Sequence, residues 1–87
     1  VEESREPDID MKIYPNPSST MLNLELQHLN SPALVSIYDL QGRVMATNNI
    51  PPGTGTLQMD VSGLPAGIYL LVLSTGFQQA HRKIIIY

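Results

Sequence analysis

The segment Thr20-Met21-Leu22-Asn23-Leu24-Glu25-Leu26-Gln27-His28 alternates apolar and polar side chains from Leu22 to Gln27. Leu22, Leu24 and Leu26 fall on one face of an extended backbone, and Asn23, Glu25 and Gln27 fall on the other. A period of two places one row on a core and leaves the other in water, whereas on a helix it scatters both rows around the axis. The segment therefore predicts a half-buried strand.

Outward from it the rhythm returns. Ala33–Asp39 alternates with Ala33, Val35 and Ile37 on the core face, and Thr56–Val61 does so with Leu57, Met59 and Val61. Ile68–Ser74 is almost wholly apolar, the pattern of a strand at the centre of a sandwich. Leu40-Gln41-Gly42 makes a tight connection from Ala33–Asp39 into Arg43–Thr47, so residues 33–47 read as a hairpin with Gly42 at a positive φ. Lys12-Ile13-Tyr14 forms a short first strand, ended by Pro15 and Pro17, which lack the amide proton a ladder needs. Asn48–Gly55, Ser62–Gly67 and Thr75-Gly76 are rich in turn residues, and Gln78–Tyr87 is the last strand. No stretch makes a convincing helix. About seven strands at intervals of roughly 8–12 residues predict an all-β, immunoglobulin-like sandwich of antiparallel strands.

Composition agrees with one small domain. Eighty-seven residues lie near the lower size at which a single core holds without help, and there is no cysteine to brace it. With one Phe, four Tyr and no Trp, the core rests on Leu, Ile and Val. The net charge of −3 is uneven. Residues 1–10 hold Glu2, Glu3, Glu6, Asp8 and Asp10 against Arg5, a net −4, and residues 11–87 carry a net +1. Residues 1–10 thus read as an acidic linker and residues 11–87 as the domain. No basic stripe suits nucleic acid, and no apolar run approaches the ~18–20 residues of a membrane span. No signal peptide opens the chain, so Val1 reads as an internal residue of a longer precursor.

Three phrases stand in order along this frame: Tyr14-Pro15-Asn16-Pro17, then Asp39-Leu40-Gln41-Gly42-Arg43 after an apolar strand, then Leu64-Pro65-Ala66-Gly67-Ile68-Tyr69 opening the central strand. With the closing Lys83-Ile84-Ile85-Ile86-Tyr87, they resemble the C-terminal sorting domain, type A, of the type IX (Por) secretion system of Bacteroidetes. Many members close on Lys, Arg or Gln, and Tyr87 departs from that pattern. The resemblance implies a secretion signal without enzymatic activity. It implies a cargo carried through the periplasm and across the outer membrane by a dedicated translocon and an outer-membrane shuttle protein. A sortase-like cysteine peptidase then removes the domain, near the linker at residues 1–10, and attaches the cargo at the cell surface.

The individual motifs have local explanations as well. Tyr14–Pro17 is a proline-set entry turn with Tyr14 on the sandwich edge. Asp39 accepts backbone N–H groups in a turn and pairs with Arg43. Tyr69 places its ring at the core edge and bonds a turn carbonyl, as corner tyrosines do. In the last strand, Ile84, Ile85 and Ile86 present apolar surface on alternating faces, so one face buries while the other is open to a receptor. That strand, Lys83–Tyr87, is the candidate sorting motif, with an ordinary core strand as the alternative. His28 and His81 lack convergent acids, Pro52-Gly53-Thr54-Gly55 lacks the lysine and helix of a phosphate loop, and Ser18 and Ser19 lack a histidine–carboxylate pair. No catalytic residue, metal or cofactor is expected. An immunoglobulin-like binding or dimerisation module, with a homodimer among its forms, is the competing class.

Overall fold

A computed structural model describes residues 10–14, 20–27, 29–76 and 78–87. Seven strands follow in order: β1 (Asp10–Tyr14), β2 (Met21–Gln27), β3 (Ala33–Tyr38), β4 (Val44–Ile50), β5 (Thr56–Asp60), β6 (Gly67–Ser74) and β7 (Gln79–Ile86). They form a three-stranded sheet ordered β1-β2-β5 and a four-stranded sheet ordered β4-β3-β6-β7, with every pairing antiparallel. Hairpins β1–β2, β3–β4 and β6–β7 stay within a sheet, while the β2–β3, β4–β5 and β5–β6 connections cross between sheets. The expected all-β sandwich is the observed one.

The alternation read from the sequence sets the registers. Leu24 lies opposite Ile13 on β1 and Leu57 on β5, and Leu22 lies opposite Met59. In the other sheet Val35 is opposite Leu73, and Ile37 opposite Leu71. Leu22, Leu24, Val35, Ile37, Leu71, Leu73 and Ile84 lose all solvent contact and join one cluster spanning both sheets. A one-residue slip in any of these strands would turn its aliphatic row to water, so the registers are strongly specified.

Three differences from the sequence reading have physical causes. The first strand starts at Asp10, and Met11 is buried opposite Leu26. The fourth strand runs on to Ile50, through residues expected to be loop. Ile50 is 1% exposed and lies opposite Ala33, so one buried side chain outweighs the turn propensity of Asn48 and Asn49. The third difference concerns β6. It is interior to its sheet as expected, but only one of its faces is covered: Ile68 and Leu70 remain 44% and 38% exposed on the outer side. Met21 is 40% exposed, while Met11 and Met59 are buried.

Leu24 touches both neighbours of the central strand of the smaller sheet, so its truncation tests the core. Leu24→Ala is expected to cost about 2–5 kcal/mol of unfolding free energy, read from urea denaturation of the two proteins.

Candidate functional site

The middle motif is a turn tied by one carboxylate. Asp39 Oδ1 accepts the backbone N–H groups of Gln41 and Arg43, each at 2.9 Å, and Oδ2 accepts from Arg43 Nε at 2.7 Å. The backbone closes the same loop, with Gly42 N–H donating to the Asp39 carbonyl and Asp39 N–H to the Arg43 carbonyl. Gly42 sits at φ 88°, where a side chain would strain the backbone. The Arg43 N–H, opposed by partial burial and helped by the guanidinium and the Gln41 N–H, holds the Asp39 carboxyl below its ordinary value. Both oxygens of the Asp39 carboxylate are engaged inside the turn, as in a hairpin device.

Asp60 repeats the arrangement at the far end of β5. Its Oδ1 accepts from the Ser62 hydroxyl at 2.7 Å and from the Ser62 N–H at 2.9 Å, and these bonds, hydroxyl first, lower its pKa. This turn leads into the third motif. Leu64 packs on the core, Pro65 and Ala66 lie at the surface, and Gly67 and Ile68 open β6. Tyr69 is buried to 5% exposure and donates its hydroxyl to the Pro65 carbonyl at 2.5 Å. The expected corner tyrosine is present, clamping the turn to the strand that follows it.

The first motif is described only at Tyr14, which is 44% exposed on the edge strand and reaches Glu25 Oε2 through its hydroxyl at 3.4 Å. Pro15, Asn16 and Pro17 lie outside the described residues, as do Ser18, Ser19 and His28. Among the described residues no group of three or more His, Cys, Asp or Glu side chains converges on a metal-sized space.

β7 is the last strand in the order of the larger sheet. Its inward row is Ala80, Ile84 and Ile86, at 5%, 0% and 2% exposure. Ile85 faces outward at 39%, and Tyr87 beyond the strand is 72% exposed. The five candidate sorting residues therefore divide into a buried pair and an outward trio of Lys83, Ile85 and Tyr87. Beside them, Ile85 lies opposite Ile68, Lys83 opposite Leu70, and Leu70 opposite Tyr38. Tyr38, Ile68, Leu70 and Lys83, with Leu40 and His81, line a shallow groove of about 620 Å³. The apolar outer face of β6 was not anticipated, although the double-sided apolar run of that strand was its signal.

Two carboxylate-tied turns, a tyrosine-clamped corner and a half-exposed last strand define a small all-β sandwich module. The chain belongs to the secretion system C-terminal sorting domain family, whose model matches residues 12–87. No curated protein sequence matches it. Membership makes it a C-terminal sorting signal of type IX secretion, part of a secreted protein bound for the cell surface or extracellular space, and it implies interaction with that secretion machinery. The family is not an enzyme family. Among the described residues no helix is long and apolar enough to cross a membrane.

Two substitutions test the turns. Tyr69→Phe removes the hydrogen bond to the surface carbonyl of Pro65 and is expected to cost about 0.5–1.5 kcal/mol, measured by chemical denaturation. For Asp39 the folded pKa lies below the unfolded value, so its contribution is present above the unfolded value and is lost as pH falls through the folded one. Urea midpoints measured from about pH 5 down to pH 2 should fall more steeply in the wild type than in Asp39→Asn, which lacks this titration.

Proposed function

We propose that β7, at Lys83–Tyr87, is the part of this sorting domain that the type IX translocon reads. The observation behind this reading is the division of the strand. Ile84 and Ile86 anchor it in the core, while Lys83, Ile85 and Tyr87 present a cation, an aliphatic chain and an aromatic ring on the other side. A rigid scaffold holding three different side chains on one exposed strand suits recognition by shape and charge. Tyr14, Asp39, Gly42, Arg43 and the Leu64–Tyr69 corner then act at a distance, by holding the sheets that present the strand.

In this proposal the domain trails its cargo through the periplasm and engages an outer-membrane shuttle protein and the translocon. At the surface it is removed by a sortase-like cysteine peptidase acting near the acidic residues 1–10. The cargo is left attached to lipopolysaccharide. The domain itself supplies no reacting group to these steps. Its contribution is a folded surface that the machinery engages.

The test separates recognition from folding. A neutral reporter with an export signal, fused to residues 11–87, is expected at the surface of a type IX-competent cell. Removal of Lys83–Tyr87 should hold it in the periplasm. The double variant Ile85→Ser with Tyr87→Ser should also be retained there, while circular dichroism and denaturation of the purified protein show an intact fold. Surface delivery of both altered reporters at the wild-type level would overturn the assignment to β7.

A further inference from the structure

The residue between the two buried ends of the inward row of β7 is Arg82. By the pleat it shares the face of Ala80, Ile84 and Ile86, and its cross-strand neighbour is Leu71, which has no exposed surface. A cation in that row is out of keeping with the aliphatic cluster around it. The side chain is half-buried, and no carboxylate pairs with it among the described residues. Instead its guanidinium turns back along its own strand, and Nη1 donates to the His81 carbonyl at 2.9 Å in a solvent-exposed bond. With β6 on the other side of β7, an exposed bond to that carbonyl lies along the outer margin of the sheet.

We infer that Arg82 prevents the Gln79–Arg82 half of β7 from adding a second copy of this chain edge to edge. A strand at the end of a sheet is a template for another strand, and a second copy always carries a matching one. Arg82 opposes such addition in two ways. Its guanidinium occupies the His81 carbonyl, an acceptor that an incoming strand would use. In the two-fold antiparallel register that sets Arg82 against its own copy, it also brings two cations face to face without an acid. Burying a guanidinium under a continuous sheet without a carboxylate partner is costly in any register. An inward-pointing charge on an end strand has this effect while leaving the outward side chains of β7 unaltered.

The inference stands apart from the reading of Lys83–Tyr87 by the translocon, and its test needs no secretion. Sedimentation equilibrium of the 87-residue chain over a rising concentration series is expected to show a monomer. Arg82→Thr should show a concentration-dependent doubling of apparent mass. Arg82→Val, which completes the aliphatic row, should behave the same way and melt no lower than the wild type. Adding His81→Pro to either variant removes an edge amide and should restore the monomer. The inference is overturned if both single variants fold and stay monomeric, or if association survives His81→Pro. It is equally overturned if both variants lose the β fold by circular dichroism, because Arg82 would then be a packing residue.

Discussion

The packing of aliphatic rows between two sheets carries this domain. Leu22 and Leu24 from one sheet and Val35, Ile37, Leu71, Leu73 and Ile84 from the other form a single dry cluster. No cysteine occurs in the chain, and the ion pair Asp39–Arg43 belongs to an exposed turn. Exposed pairs of this kind contribute little, so the registers and the burial they produce set both stability and shape. Each strand must keep its phase. Once it does, the pleat sets which side chains point outward.

The motifs of the family gain a physical meaning in this light. Asp39, Gly42 and Arg43 satisfy one another and the backbone between two strands, and Asp60 with Ser62 does the same two connections later. Tyr69 ties Pro65 to the strand that follows. These groups turn the chain between strands whose registers leave no freedom of phase. The polar atoms named here each have a protein partner within their own turn or corner. The outer side of β6 and β7 carries aliphatic, cationic and aromatic side chains at the surface.

Much of this was legible in the residue pattern because an extended chain obeys a period of two. The alternation of Thr20–His28 and Ala33–Asp39 placed their core rows correctly, and the corner tyrosine and the aspartate turn followed from known turn chemistry. The run to Ile50 was not legible. Asn48 and Asn49 carry turn propensity, and only the pairing of Ile50 with Ala33 across the sheet reverses it. The exposure of Ile68 and Leu70 was missed for a related reason. Sequence shows that both faces of β6 are apolar but not that a second layer covers only one of them.

The chain alone therefore determined the extended character of its segments, the identity of the inward rows and the turns between them. Those properties follow from local geometry and from the chemistry of single side chains. Tertiary structure decided which strand lies at the end of a sheet, which apolar face meets water, and that Arg82 shares a row with Ile84 yet turns its charge outward. These are relations between segments far apart along the chain. They depend on the order in which strands assemble and on the space left between layers, and no local pattern encodes either.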